Sequence, residues 1–179
     1  MKKFFILAVC FAAVVFASCE PALLPNVKAY GFSVSSTKKV VFSPGNLQYD
    51  RMSRTWSFAE NQYDALGANN VKGSAFADKI DLFGWSGSNS AVLYGVNASP
   101  NYKDYMGDFV DWGNNQIGKD APNTWRTLTN DEWMYIFNER PNAQSLFAFG
   151  SVNGVNGTII LPDNWTTPDG VSFVASTTQ

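Results

Sequence analysis

The chain contains no histidine, and its only two cysteines, Cys10 and Cys19, lie near the N-terminus. The absence of histidine excludes a Ser-His-Asp triad, a histidine general base and every zinc site that uses an imidazole ligand. Because both cysteines precede the rest of the chain, we predict that the folded part has no disulfide, no thiol nucleophile and no cysteine-ligated metal.

Charged residues are also scarce, at 16% of 179 residues, with 13 Lys and Arg against 15 Asp and Glu. Two of the basic residues, Lys2 and Lys3, belong to the N-terminal segment, so the remainder is more acidic than the whole. A protein that binds nucleic acid needs Lys and Arg clustered on one face. We therefore expect no nucleic-acid partner.

The N-terminal segment has the pattern of an export signal. Lys2 and Lys3 precede an apolar run over residues 4–17, which is shorter than the roughly 20 residues that span a bilayer. The run ends in Phe16-Ala17-Ser18-Cys19, which resembles the lipobox of bacterial lipoproteins, with Phe16 where leucine is usual. We predict a lipoprotein signal peptide over 1–18 and acylation, as by palmitate, at Cys19. The alternative is an ordinary secretory signal with an incidental cysteine.

These features predict an outer-membrane lipoprotein. They do not distinguish the periplasmic face of the membrane from the cell surface. Each buried methylene of an acyl chain adds about 0.8 kcal/mol of membrane affinity, so two or three chains on Cys19 would anchor the protein firmly. Residues 19–29 contain Pro21 and Pro25, which favour extended backbone, and we interpret them as a tether. Residues 30–179 are then a single domain.

The first half of this domain is predicted to form short strands separated by turns. Alternation of apolar and polar residues predicts strands at Tyr30–Ser35 and Lys39–Phe42, followed by a turn at Ser43-Pro44-Gly45-Asn46. Leu47–Tyr49 and Thr55–Phe58 flank a short polar segment, which predicts a hairpin.

One helix is clearly indicated, at about Asn130–Glu139. Thr129 and Glu132 have the spacing of a capping box, and the helix ends before Pro141. Trp133, Ile136 and Phe137 follow at the i, i+3, i+4 spacing of a core-facing stripe.

Further strands are predicted after the helix. Phe147–Val152 and Thr158–Leu161 surround the sequence Asn153-Gly154-Val155-Asn156-Gly157, a hairpin loop, and Val171–Val174 begins another strand. The predicted class is therefore α+β, mostly antiparallel β with one capped helix.

Residues 125–133, Trp-Arg-Thr-Leu-Thr-Asn-Asp-Glu-Trp, resemble the Trp-Arg-Leu-Pro-Thr-x-x-Glu-Trp signature of the formylglycine-generating, sulfatase-modifying-factor family. The chain departs from it at Thr127-Leu128, where that family has Leu-Pro. The resemblance implies a C-type-lectin-like fold. Catalysis in that family uses cysteines, so the resemblance extends to the fold and the helix signature and not to the chemistry.

A broader resemblance covers nearly all of the chain after the signal. It is to uncharacterised lipoproteins of gut Bacteroides and Prevotella relatives. The blocks that carry it are Phe42–Tyr49, Trp56–Ala59, Asp81–Trp85, Asp111–Gly113, Val152–Gly157 and Leu161–Trp165. Such proteins continue past Gln179 into further strands, so the resemblance implies that the lectin-like fold is incomplete here.

Aromatic residues beside turns are the candidate ligand-binding residues. Trp85, Trp112 and Trp165 could stack on sugar rings, while Asp111 and Asn114 could hydrogen-bond to sugar hydroxyls. The alternative interpretation, which six Trp in a modest domain favours, is that these rings are core residues under loops.

A second candidate site is a group of loop acids. Asp104, Asp108 and Asp111 offer the oxygen ligands that calcium prefers, but their spacing is not that of an EF-hand. Solvated loop acids beside packed aromatics are the simpler interpretation, so we expect no cofactor, with calcium as the alternative. Arg126 and Glu132 are interpreted as a structural ion pair.

Three hypotheses of function follow. The first is a non-catalytic envelope lipoprotein that binds a glycan or a protein partner through Gly-, Asn- and aromatic-rich loops. The second is an enzyme related to the sulfatase-modifying factors with cysteine-free chemistry, which the missing histidine and thiols argue against. The third is a structural or adhesive surface component.

Overall fold

The computed structural model describes residues 7–9, 16–18, 30–66, 79–81, 83 and 109–175. The strands are β1 (Leu7–Val9), β2 (Phe16–Ser18), β3 (Phe32–Ser33), β4 (Lys39–Phe42), β5 (Leu47–Asp50), β6 (Thr55–Phe58), β7 (Lys79–Ile80), β8 (Trp125–Thr127), β9 (Phe147–Val152) and β10 (Val155–Ile160). The α-helix α1 (Asn130–Met134) continues as a π-helical turn over Tyr135–Glu139. Short 3-10 turns cover Trp112–Asn114 and Ala143–Ser145.

All of these strands pair antiparallel, in the orders β1-β10-β9, β3-β4-β2-β8 and β6-β5-β7. With one short helix beside these sheets, the described part of the chain is α+β, as predicted. Among its helices, none has the length and hydrophobicity required to cross a bilayer.

Two pieces of the predicted signal segment contribute strands. β1 adds to the edge of the β9–β10 hairpin, with Leu7 in register with Ile160. β2 lies between β4 and β8, with Ala17 in register with both Phe42 and Arg126. Strands β4 and β8 therefore join one sheet through β2.

The predicted β-structure of the first half is largely confirmed. β4 has the bounds expected, and β5 and β6 form the predicted hairpin, with Leu47 opposite Phe58 and Asp50 opposite Thr55. The predicted strand at Tyr30–Ser35 is shorter, because Val34 and Ser35 donate their backbone N–H groups to the carbonyl of Lys38 and so turn the chain towards β4.

The capping box at the start of α1 is confirmed. The hydroxyl of Thr129 accepts from the backbone N–H of Glu132, and Glu132 Oε2 accepts from the N–H of Thr129 at 3.0 Å. Ile136 is fully buried, and Trp133 and Phe137 pack partly buried against the same core, as the spacing predicted. The last turn is π-helical, with the N–H of Arg140 donating to the carbonyl of Tyr135.

The predicted five-residue loop of the second hairpin is wrong in its extent. β9 and β10 are joined by the two residues Asn153 and Gly154 alone, and Val155 is already paired with Val152. Both turn residues have positive φ, at 52° and 80°, which matches the right-handed twist of the flanking strands. Asn-Gly at the tip therefore shortens the loop to its minimum length.

The predicted strand at Val171–Val174 is also wrong. Residues 171–175 are not part of a strand, and Val174 is 80% exposed. A strand forms only where its backbone pairs with a neighbouring strand, and none of the described strands pairs with this segment.

In the described part of the chain, the core contains two clusters of buried side chains. The first joins β3 and β4 to the helix and the second hairpin, and contains Phe32, Val34, Val40, Phe42, Leu128, Ile136, Phe147 and Ile160. The second lies under the first hairpin, and contains Leu47, Trp56, Ile80, Phe83, Trp112 and Ile117. Burial of these apolar surfaces supplies most of the favourable free energy of folding.

Candidate functional site

The segment from Asp111 to Trp125, here called the Asp111–Trp125 loop, connects the second core cluster to β8. Asp111 begins it as the N-cap of a 3-10 turn, where its Oδ1 accepts from Gly113 N at 2.9 Å. The same oxygen accepts from Thr127 N at 2.8 Å, so one carboxylate ties the start of the loop to the strand at its end. The loop is thus closed at its base.

Two buried side chains hold the underside of the loop. Trp112 is 6% exposed and Ile117 is 2% exposed. The Trp112 ring packs against Trp56 and Phe83, with centroid distances of 5.6 and 5.3 Å. The N–H of Gly118 donates to the carbonyl of Trp56 at 2.8 Å, which pins the loop to β6.

Gly113 allows the loop to approach β8 closely. A Cβ atom at this position would lie 1.8 Å from the carbonyl oxygen of Trp125, a distance that no side chain tolerates. The carbonyl of Gly113 also accepts from the N–H of Asn123 at 2.7 Å. Glycine is therefore required by packing, and the loop has a fixed backbone before any ligand arrives.

The exposed side of the loop, here called its outer side, is mostly polar. Asn114, Gln116, Lys119, Asp120 and Asn123 are exposed, as are Gly118, Ala121 and Pro122. Trp125 is partly buried, and its indole Nε1 donates to Asp120 Oδ2 at 2.7 Å. The other side of the Trp125 ring system meets Phe58 edge-on, with centroids 4.9 Å apart. This arrangement holds an aromatic ring and a carboxylate in a defined orientation.

The structure separates the sequence-predicted ligand residues into two groups. Asp111 and Trp112 are engaged inside the fold, since the carboxylate caps the loop and the ring lies in the core. Trp112 therefore has the core role that was the alternative interpretation, and its ring is not available for stacking on a sugar. Asn114 is exposed on the outer side of the loop.

Trp165 lies elsewhere in the chain, after β10. It is partly buried, and its backbone N–H donates to the carbonyl of Pro162. Its indole N–H is buried and has no hydrogen-bond partner among the described residues. Four of the predicted site residues lie outside the described residues: Trp85, Asp104, Asp108 and Cys19. The proposed roles of Trp85 in ligand binding, of Asp104 and Asp108 in calcium binding and of Cys19 in acylation therefore stay predictions.

Within the described ranges, no group of three or more His, Cys, Asp or Glu side chains is placed to hold a metal ion. Asp111, the described member of the predicted calcium group, directs Oδ1 at two backbone N–H groups.

Arg126 and Glu132 form the predicted ion pair beside the loop. Arg126 Nη1 and Nη2 donate to Glu132 Oε2 and Oε1 at 2.6 and 2.7 Å, a bidentate arrangement. Partial burial acts to raise the pKa of Glu132, but hydrogen bonds from Arg126 and Thr129 and the charges of Arg126 and Lys38 outweigh it and hold the pKa below its usual value. The carboxylate is thus committed to the helix start.

Sequence reasoning missed the pairing of Asp120 with Trp125. The two residues flank Pro122 and Asn123, and the positive φ of Asn123, at 67°, belongs to the turn that brings them together. A turn-forming Pro-Asn between an acidic and an aromatic residue was the available signal.

Comparison of the chain with protein-family profiles, with curated proteins and with solved structures finds no match.

Proposed function

We propose that the protein is a non-catalytic cell-envelope lipoprotein, anchored to the outer membrane through Cys19, that binds a glycan or a protein partner through the Asp111–Trp125 loop. A C-type-lectin-like domain is the proposed fold, on the strength of the signature at residues 125–133. Binding without a cofactor is part of the proposal.

The anchor is supported by the order of features at the N-terminus. Lys2 and Lys3, an apolar run too short to span a bilayer and the sequence Phe16-Ala17-Ser18-Cys19 follow one another as in bacterial lipoprotein signals. After cleavage before Cys19, that residue would be the single cysteine of the chain.

One observation carries the binding proposal: the partly buried Trp125, which packs against Phe58, donates a hydrogen bond to the exposed Asp120 in a loop whose base is fixed. Protein sites for sugars combine an aromatic face with carboxylate and amide groups that hydrogen-bond to hydroxyls. Asn114 and Gln116 supply exposed amides in the same loop. A preorganised loop loses little conformational entropy on binding, which favours affinity.

A non-catalytic role is supported by the residue inventory. The chain has no histidine, and its thiols are confined to Cys10 and Cys19, before the proposed domain. Glu132 and Asp111, two carboxylates near the loop, are both engaged by hydrogen bonds within the protein.

The anchor is tested by expressing the complete chain in a bacterium that processes lipoproteins and measuring mass and acylation. We expect loss of residues 1–18 and gain of acyl chains. Cys19→Ala removes the acyl acceptor and should abolish both changes. Cys10→Ala is the matched control and should change neither. Acylation of the Cys19→Ala variant would contradict the assignment.

Binding is tested with the acylated protein in detergent on arrays of bacterial and host polysaccharides and on outer-membrane extracts. We expect Asp120→Asn and Asn114→Ala each to weaken binding about tenfold, the equivalent of roughly 1.4 kcal/mol. Ser151→Ala, at an exposed position of β9, is the control and should bind as the unaltered protein does. Equal binding by all four proteins would move the site away from this loop.

A further inference from the structure

Strand β2 occupies an interior position of its sheet. Its residues Ala17 and Ser18 pair with Phe42 and Val41 of β4, and on the other side with Arg126 and Trp125 of β8. β4 and β8 run in the same direction and are both antiparallel to β2. The position of β2 is here called the central slot.

The residues that fill the central slot belong to the segment that the proposed signal cleavage would remove. Cleavage before Cys19 takes Phe16–Ser18 away, and with them the backbone partners of β4 and β8. The N–H and C=O groups that faced β2 would then form two exposed edges facing each other, which is a template for another strand.

The C-terminal part of the described chain contains an unpaired segment of strand-like sequence. Val171-Ser172-Phe173-Val174-Ala175 is rich in β-branched and aromatic residues and carries no charge. It is not part of a strand, and Val171 and Val174 are exposed at 40% and 80%. Phe16-Ala17-Ser18, which fills the slot, is likewise uncharged. The two segments therefore have in common that neither would place a charged side chain in the sheet.

This segment begins within reach of the slot. Asp163 is tied to the start of β4, with Lys39 Nζ 2.9 Å from its Oδ2 and the N–H of Ser33 3.1 Å from its Oδ1. The chain from Asp163 to Val171 can extend roughly 3.3 Å per residue, whereas neighbouring strands lie about 4.8 Å apart. The intervening residues therefore suffice to carry the segment past β4.

A reversal immediately precedes the segment. The N–H of Val171 donates to the carbonyl of Pro168 at 3.1 Å, and Gly170 has φ of +76°. The proposed exchange requires the segment to lie antiparallel to β4 and β8, as β2 does, and the turn provides a change of chain direction just before it.

We propose that the central slot is a strand-exchange site: β2 fills it in the unprocessed chain, and Val171–Ala175 of the same molecule fills it once residues 1–18 are removed. The inference rests on the proposed lipoprotein processing. The exchange couples maturation to folding, because the final sheet forms only after the signal has left.

The test uses disulfide cross-linking in the complete chain, expressed in a bacterium that processes lipoproteins. Val41→Cys is combined, one at a time, with cysteine at positions 171, 172, 173 and 174. All chains carry Cys10→Ala, and Cys19 is acylated after processing, so the introduced pair is the sole pair of free thiols. We expect cross-links within one molecule at alternate positions, since successive strand side chains point to opposite faces.

Two controls accompany this series. The unprocessed form, obtained with Cys19→Ala, keeps β2 in the slot and should cross-link at least tenfold less. Met52→Cys in place of Val41→Cys lies at an exposed turn of the first hairpin and should give no cross-link with any of the four positions. Hydrogen exchange of the unsubstituted protein provides a second measurement, in which residues 171–175 should become protected on processing.

The outcomes are distinguishable. Processing without cross-links and without protection of residues 171–175 overturns the exchange and leaves the lipoprotein assignment intact. Cross-links between two molecules would assign the slot to a second copy and also overturn the exchange within one chain. If residues 1–18 stay attached, the lipoprotein assignment fails. The exchange is then decided with the same cysteine pairs in a chain that carries a protease site after Ser18.

Discussion

Arg140 and Asp163 connect the end of the helical segment to the chain that follows the last strand. Arg140 has a side chain with 0% exposure, and its Nη1 lies 3.2 Å from Asp163 Oδ1. The same guanidinium donates to the carbonyls of Ile136 and Leu161 at 2.8 and 2.9 Å. On its other side, Asp163 accepts from the Ser33 hydroxyl at 2.6 Å. One buried ion pair therefore joins three separate parts of the fold.

We predict that Asp163→Asn lowers the free energy of unfolding by about 3 kcal/mol, because it leaves the buried Arg140 charge without its counter-charge. Urea denaturation at pH 7 measures the change. Lys39→Ala is the control: it removes the other cation on Asp163, but the Lys39 side chain is 63% exposed, and exposed pairs contribute about 0–1 kcal/mol. Similar losses in both variants would contradict the special role of the buried partner.

Stability should fall as the solution is acidified below about pH 4.5. Burial acts to raise the pKa of Asp163, but hydrogen bonds from Ser33 and Lys39 and the Lys39 charge outweigh it, and the pKa lies below the usual 3.8. The pKa of Glu132 is likewise below 4.5. Carboxylates with lowered pKa stabilise the fold above their unfolded values, and this contribution is lost as the pH falls through the folded values.

Urea denaturation at pH 7, 5, 4 and 3 measures this loss. The Asp163→Asn variant lacks the Asp163 carboxyl, so its stability should decrease less between pH 5 and pH 3 than that of the unaltered protein. An equal decrease in the two proteins would show that other carboxylates dominate the acid response.

Gly113→Ala should destabilise the protein strongly and disturb the Asp111–Trp125 loop. The new Cβ would clash with the carbonyl of Trp125 at the 1.8 Å distance given above, and relief requires movement of backbone on one side. We expect a loss of about 3 kcal/mol or more, in the range of severe packing defects. Thermal unfolding by near-ultraviolet circular dichroism reports both the loss and the altered Trp environment.

Gly118→Ala is the matched control in the same loop. Gly118 has φ of +60° with open space around it. Alanine there would be destabilised by its left-handed backbone conformation and by no clash, so we expect the free energy of unfolding to fall by about 1–2 kcal/mol. A Gly118→Ala loss as large as that of Gly113→Ala would refute the clash as the cause.

Thr129→Ala should lower the free energy of unfolding by about 1 kcal/mol, because it removes the side-chain acceptor of the capping box. Chemical denaturation with far-ultraviolet detection measures the change. Thr37→Ala, at an exposed position before β4, is the control and should leave stability within about 0.5 kcal/mol of the unaltered protein. If the control loses as much, the cap does not account for the effect.

The elements that sequence predicted well are those fixed by local chemistry. The capping box of Thr129 and Glu132 and the alternation in β4 and the β5–β6 hairpin are set by residues a few positions apart. The same holds for the Arg126–Glu132 pair, whose members flank the helix start.

What sequence did not predict depends on contacts between distant segments. The sequence left two interpretations of Trp112 open, and its contacts with Trp56 and Phe83 decide for burial, whereas Asn114, two positions later, is exposed. The segment Val171–Val174 has residues that suit a strand, but none of the described strands pairs with it. The residue types of a segment indicate whether it can form a strand. Whether it does so depends on the position of the other strands in the fold.

The hydrogen bonds between Ser33 and Asp163 span 130 positions of sequence, and the first core cluster joins β3 and β4 to β10 over similar separations. Such contacts form late in folding, because the entropy cost of closing a long loop must be met before the contacts contribute favourable free energy. Folding of this domain should accordingly be slow until its last strands are synthesised. Under the proposed export through a membrane pore, that delay would keep the polypeptide unfolded enough to pass through the pore.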